Sequence, residues 1–257
     1  MPARAVRAVF TDLDGTLTTQ GRVRASTLAC LERLVEAGIP VVVVTGRSAG
    51  CGDTLARTWP VRAVVAENGG LALVAPDRPG GRVRRFYALP MARLPALRRR
   101  MLRDAEAVAR EVPGARLSTD SAYTEVDLAF DWNEEVHLGE EAACRLEGAL
   151  RARGYRAVRS SVHVNFWPPG FDKLTTCQRV VRRVLHGDPR DLSPYLYVGD
   201  ALNDEPMFAG FPRSVGVANV RAVWSELRAH PAHVTRRAEG LGFEEVARAV
   251  LKNGASY

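Results

Sequence analysis

The stretch VFTDLDGTLTTQG, residues 9–21, decides the fold. An apolar β-branched run ends there in Asp12 and Asp14, separated by Leu13 and followed at once by Gly15 and Thr16. Two like charges side by side repel, so a strand tip keeps both only where something positive lies between them. The stretch therefore reads as a strand that delivers two carboxylates to a cation.

The same grammar recurs outward from it. Ser26 to Ala37 has helical periodicity and stops at Gly38, and IPVVVVTGR (39–47) is a second, almost wholly β-branched strand. A helix is expected over Asp53 to Thr58, and VRAVVAENGG (61–70) forms a third strand ending in a glycine turn. Apolar strands joined by helical crossovers imply an α/β, doubly wound parallel sheet. After Leu73 the pattern changes. The loop APDRPGGR (75–82) leads to a strand near Val83 to Ala88, a helix over Met91 to Glu111 and the alternating stretch TEVDLAFDW (124–132). A helix over Leu138 to Arg153 and the strands YRAVRS (155–160) and SVHVNFW (161–167) follow. This is an α+β module with one face of its sheet in solvent. The parallel style resumes at Leu174 with a helix to Leu185, then YLYVGD (195–200), a short helix at Glu205 to Phe208, SVGVAN (214–219), a helix over Val220 to His230 and a last helix from Phe243. The expected division is a core of residues 1–80 and 170–257, with residues 81–169 inserted as a cap.

Composition narrows the class. The chain has 257 residues, enough to bury a core without staples, with 46% hydrophobic and 25% charged residues, typical of a soluble globular protein. No secretory leader precedes the strand that begins by Val6, and no apolar run is long enough for a bilayer, so a cytoplasmic location and no membrane partner are expected. Cys30, Cys51, Cys144 and Cys177 are widely spaced and read as small thiols rather than a metal site or disulfides. His230 and His233 flank a proline in HPAH, which suits a loop better than a metal site. The net charge of +7 raises the question of nucleic acid. Its arginines are dispersed, though, and the densest run, RRRMLR (98–103), reads as a solvated helix face, which argues against that partner. Only two lysines, Lys173 and Lys252, stand among 36 basic residues. An internal lysine kept where nearly every cation is arginine suggests a site that wants a compact ammonium.

In open parallel sheets reactive groups gather beyond the carboxyl ends of the strands. Asp12 and Asp14, then Thr45, Gly46 and Arg47, then Glu67 and Asn68, and Asp200 all fall there. Singly, each is an ordinary turn residue; together they converge on one edge. Asp12, Asp14, Asp200 and Asp204 bring up to four carboxylates, and all-oxygen ligation calls for Mg2+. Thr45, Gly15, Gly46 and Lys173 would supply donors to a phosphate. In such a site one carboxylate attacks the phosphoryl group to form an aspartyl phosphate, while a second moves the proton.

TDLDGT (11–16), TGR (45–47), DK (172–173) and GDALND (199–204), in that order and on those elements, resemble the four motifs of the haloacid dehalogenase superfamily of phosphohydrolases. The position of the insert and the closing stretch EGLGFEEVARAVL (239–251) resemble the type IIB members, the Cof-like and sucrose-phosphate-phosphatase-like hydrolases. The resemblance implies a Rossmann-like core with a C2B cap. It also implies Asp12 as nucleophile and metal ligand, Asp14 as general acid/base and ligand through its backbone oxygen, and Asp200 as ligand. Thr45, Gly46 and Lys173 would hold phosphate, with Asn203 and Asp204 supporting the phosphate and metal shell. The second motif differs from that of mannosyl-phosphoglycerate phosphatases, and the fourth differs from the glycine-bearing one of phosphomannomutases.

The cap should set specificity. His163 and Asn165 alternate on one strand face and either meet the leaving group or simply pack or face solvent. Asn68 either holds a substrate hydroxyl or only shapes its turn. The expected function is a phosphatase of a small phosphorylated metabolite such as a sugar phosphate. The alternatives are a sugar phosphomutase, marked by isomerised product, and a non-enzymatic binder of nucleic acid or an acidic partner, marked by salt-sensitive binding.

Overall fold

Strand β1 (Ala8–Thr11) sits mid-sheet and shows how the core is layered. Its Val9 enters one apolar cluster, while Ala8 and Phe10 enter another on the opposite face. This is the two-residue period of a strand covered on both sides. The computed structural model describes residues 6–78, 80–160 and 162–254, so Pro79 of the expected loop and Ser161 of the expected strand lie outside the described residues.

From β1 the chain passes through a small hairpin, β2 (Thr18–Thr19) and β3 (Arg22–Val23), to α1 (Ala25–Glu36), β4 (Val41–Val44), α2 (Ala49–Thr58), β5 (Ala63–Ala66), β6 (Leu71–Val74) and β7 (Arg84–Tyr87). The second layer is built by α3 (Leu94–Glu111), β8 (Arg116–Leu117), β9 (Leu128–Asp131), α4 (Glu140–Ala152), β10 (Arg156–Arg159) and β11 (His163–Trp167). The chain then returns through α5 (Lys173–Arg183), β12 (Tyr195–Gly199), α6 (Glu205–Gly210), β13 (Arg213–Gly216), β14 (His233–Val234) and α7 (Glu239–Gly254).

The large sheet runs β14-β13-β12-β1-β4-β5-β6-β7. It is parallel from β14 to β5 and antiparallel at β6 and β7. Helices α1 and α7 cover one face, and α5 and α6 the other. The fold is thus α/β, a doubly wound Rossmann-like core carrying an α+β cap whose antiparallel sheet runs β10-β11-β9-β8. Among the described residues no helix is long and apolar enough to cross a membrane.

Four local expectations change. The strand near Val83 to Ala88 pairs with β6 on the edge of the large sheet rather than with the cap strands, because the turn at Asn68–Gly70 reverses the chain into a β5–β6 hairpin that β7 extends. Helix α2 starts four residues early, at Ala49, because Ser48 caps it by accepting the Cys51 N–H at 3.4 Å; Gly50 and Gly52 hide that turn from a propensity reading. In place of an α-helix over Val220 to His230 there is a 3-10 helix over Ala218–Glu226. Val220 and Val223, three apart, fall on one side of that tighter coil and pack on the sheet. Finally, the cap sheet has no solvated face at its centre. Every residue of β9 and β11 is buried, with Phe130, Val164 and Phe166 packed under α3 and α4 and the alternate residues turned to the core.

Candidate active site

At the carboxyl edge of the large sheet, Asp12 leaves β1 and Asp200 leaves the neighbouring β12. Asp204 follows on a 3-10 turn, and Lys173 opens α5. Asp172 caps that helix, its side chain accepting the Thr175 N–H at 2.8 Å while its own N–H donates to Thr175 Oγ1 at 3.0 Å. The cap fixes the direction in which Lys173 enters. Its Nζ, 2% exposed, donates to Asp12 Oδ1 at 2.8 Å and to Asp204 Oδ1 at 2.7 Å.

Asp204 is saturated. Oδ1 also accepts the Tyr197 hydroxyl at 2.6 Å, and Oδ2 accepts the N–H groups of Asp200 at 2.9 Å and Ala201 at 3.2 Å. Four bonds fill the acceptor capacity of a carboxylate. Asp200 takes the Thr16 hydroxyl on Oδ1 at 2.7 Å and the Asn219 amide on Oδ2 at 2.8 Å. A Cβ on Gly15, whose φ is +75°, would stand 2.5 Å from Asp200 Oδ2, so only glycine lets this loop close on the carboxylate.

The charges do not balance. Burial, and then the neighbouring carboxylates, lift Asp200 well above the usual range. Burial pushes Asp12 up to about 8 despite Lys173. Burial opposes the charge on Lys173 too, yet Asp12 and Asp204 hold it above ordinary lysine. Three buried carboxylates thus share one ammonium, with an oxygen of each of Asp12, Asp200 and Asp204 within 4.8 Å of the others. This hard, oxygen-only and negatively overcharged set fits a small divalent cation. Asp12 Oδ2 has no protein donor among the described residues, and the carboxylates of Asp12 and Asp200 are the better-placed ligands, since Asp204 is already committed. The Asp14 carboxylate stands outside that trio.

Asp14 instead faces Arg47, whose Nε and Nη2 donate to Oδ2 at 3.0 Å and Oδ1 at 3.1 Å. Thr45 Oγ1 accepts the Arg47 N–H at 3.0 Å, which shapes the loop after β4. Above them the cap contributes Ser160, Val162, His163 and Asn165, closing a pocket of about 20 Å³ with Asp12, Asp14, Thr45, Gly46, Arg47 and Asn203. His163 and Asn165 therefore face the core. Asn165 Oδ1, Asn203 Oδ1 and Asn68 Oδ1 are buried without a partner, which leaves polar atoms free for a ligand. Asn68 is doubly placed: its Nδ2 donates to Asp127 Oδ2 at 2.9 Å, and it lines a second, open cleft of about 720 Å³ with Trp167, Lys173 and Asn203.

Glu67, at the third strand tip, does not join the site. Its carboxylate accepts the N–H groups of Ala49 at 2.8 Å, Val126 at 2.5 Å and Asp127 at 3.0 Å, together with that of Glu125, tying the core to the cap. Glu134, Asn219 and Tyr197 are contributors that sequence reasoning missed. Asn219 carries a signal, a polar residue at the end of SVGVAN; Glu134, in the irregular DWNEE segment, carries none.

The comparisons with known proteins agree with this geometry. The profile of the haloacid dehalogenase-like hydrolases matches residues 9–83. A phosphoglycolate phosphatase of Pyrobaculum aerophilum is 30% identical over 255 residues, covering 98% of either chain. Among solved structures, a Thermoplasma acidophilum protein superposes with a TM-score of 0.72 at 18% identity, over 96% of this chain and 98% of that one. The sucrose-phosphatase of Synechocystis, solved with sucrose and phosphate, gives a TM-score of 0.65 at 16% identity over the same shares.

Proposed function

The chain belongs to the haloacid dehalogenase-like hydrolases and is a phosphoric monoester hydrolase, and from that premise we propose a magnesium-dependent phosphatase of small phosphorylated metabolites that works through Asp12. The observation that carries this reading is the buried Lys173–Asp12 pair beside Asp200, beneath a small polar pocket roofed by the cap.

Lys173 holds Asp12 Oδ1, so Oδ2 is the oxygen left to attack phosphorus. As that bond forms, the bond from phosphorus to the leaving oxygen breaks, and Asp14 gives the leaving oxygen a proton. Water then attacks the aspartyl phosphate while Asp14 takes its proton back, which frees phosphate and restores Asp12. Magnesium, held by Asp12 and Asp200 with the Asp14 backbone oxygen, would neutralise charge on the phosphoryl oxygens. Thr45, Gly46 and Asn203 line the space where those oxygens would sit, and the roof over them excludes water.

Phosphoglycolate is the first substrate candidate. The relative of matching length bears that name. A sugar phosphate is the second reading, favoured by the larger cleft that shares Asn203 with the pocket. Phosphate release from phosphoglycolate, hexose phosphates and p-nitrophenyl phosphate, with and without magnesium, separates the two. Asp12→Asn should lose roughly 10⁴-fold or more in kcat, as removal of a covalent nucleophile does. Full activity in that variant would sink the nucleophile assignment.

A further inference from the structure

Among the described residues, Arg47 is the side chain that touches both the proton-moving carboxylate and the roof. One edge of its guanidinium, Nε and Nη2, carries Asp14. From the adjacent edge, Nη2 donates to Glu134 Oε1 at 2.8 Å and Nη1 to Glu134 Oε2 at 3.3 Å. A planar fork held along two edges has one orientation, whereas a fork held along one edge can swing.

Glu134 belongs to the cap and is well anchored there. Its turn follows β9, where Asp131 Oδ1 and Oδ2 accept the N–H groups of Glu134 and Glu135, each at 2.9 Å. Its Oε2 lies 2.8 Å from His163 Nε2 on β11. His163 and then Arg47 hold the Glu134 carboxyl at about 2, against the effect of its partial burial, so it stays ionised.

A pocket of about 20 Å³ has room for about one water and none for a phosphate ester. Substrate must therefore enter with the cap lifted, and lifting parts Glu134 from Arg47. It leaves the Arg47–Asp14 pair intact, because both residues belong to the core. Each turnover breaks and remakes the middle link, Arg47–Glu134, of the chain Asp14–Arg47–Glu134–His163.

We propose that Glu134 is a positioning residue for proton transfer: as the cap seats, it grips the free edge of Arg47 and thereby aims Asp14 at the leaving oxygen only when the substrate is covered. The inference rests on the reading of Asp14 as the group that protonates the leaving oxygen. It assigns Glu134 a role beyond holding the cap shut, since a simple latch would serve every substrate alike.

Leaving groups provide the test. An alkoxide needs its proton as the bond to phosphorus breaks; p-nitrophenolate departs without one. We would measure kcat/KM, which reports the step that expels the leaving group, for phosphoglycolate, glycerol phosphate and p-nitrophenyl phosphate in wild type, Glu134→Gln and Glu134→Ala. General acid help is worth about 10² to 10⁴ in rate. The variants should lose about 10- to 100-fold on whichever alkyl phosphate the wild type hydrolyses and no more than about threefold on the aryl one. Glu135→Gln serves as control, because among the described residues the Glu135 side chain pairs within the cap, with Arg116 at 3.3 Å and Thr119 at 2.8 Å; its profile should match wild type. Equal losses on alkyl and aryl substrates would reduce Glu134 to a latch and overturn the proposal, as would wild-type rates on both. A wild type that releases phosphate from none of the three would overturn the phosphatase reading itself, a result separable from either.

Discussion

Two clusters of charge face each other across the cleft, and they are built for opposite lifetimes. Below, Lys173 is 2% exposed and bound to Asp12 and Asp204. Above, Arg47 is shared between Asp14 and a Glu134 whose side chain is 38% exposed. Removing one partner of a buried pair costs about 3–5 kcal/mol, because the other is left charged in a poor solvent. A solvent-exposed pair is worth about 0–1 kcal/mol, because water replaces the partner. The lower cluster is therefore fixed through the cycle, while the upper one can open each time the cap lifts.

The largest expected effect breaks the lower cluster. Lys173→Met leaves Asp12, Asp200 and Asp204 mutually repelling, which should cost about 3–5 kcal/mol and abolish phosphate release. Magnesium would supply the missing positive charge, so it should raise Tm more in this variant than in wild type. Thermal unfolding with and without magnesium checks this; equal shifts would mean that the cation does not sit among these carboxylates.

A middle case sharpens the contrast, since Glu67 and Asp127 are as buried as the lower cluster yet join core to cap. Burial pushes Glu67 up to about 7, with five backbone hydrogen bonds from four N–H groups pulling it down, and burial beside Glu67 raises Asp127 as well. The folded pair therefore keeps a proton that the unfolded chain, with glutamate near 4.5, has released. The stabilisation from that proton is complete below about pH 4.5 and is lost as pH rises through about 7. The slope reaches at most about 1.4 kcal/mol per pH unit. Urea midpoints between pH 5 and 8 should fall in wild type and flatten in Asp127→Asn. Parallel curves would remove the shared proton.

The smallest effect lies at the outer rim. Arg159 of β10 reaches Glu226 of the core at 2.5 Å, and Glu226 is 47% exposed. Glu226→Ala should change stability by less than about 1 kcal/mol and leave kcat near wild type. A larger loss would show that exposed pairs, and not only the buried joint, hold the cap down.

What the sequence reveals follows the same division. Asp12, Thr45, Lys173 and Asp200 are legible because each sits where a strand or capped helix must end, so local pattern and chemistry coincide. Glu134 and Asp127 are not, because their partners lie 87 and 59 residues away and only the folded cap brings them together. The period-2 pattern of TEVDLAFDW correctly marks a strand, yet it cannot say that the polar face meets a second domain rather than water. In the sequence AENGG marks only a strand that ends in a glycine turn, since such a turn alone does not say whether the next strand returns to form the β5–β6 hairpin.

The near absence of lysine has a practical consequence. Lys173 is shielded by the carboxylates that bind it, while Lys252, toward the end of α7, is exposed. Besides any free α-amine, an amine-directed reagent would therefore find a single reactive lysine side chain, on α7. The protein can be tethered or labelled there with the core–cap cleft left untouched, which makes cap motion accessible to surface and fluorescence methods without any engineered handle.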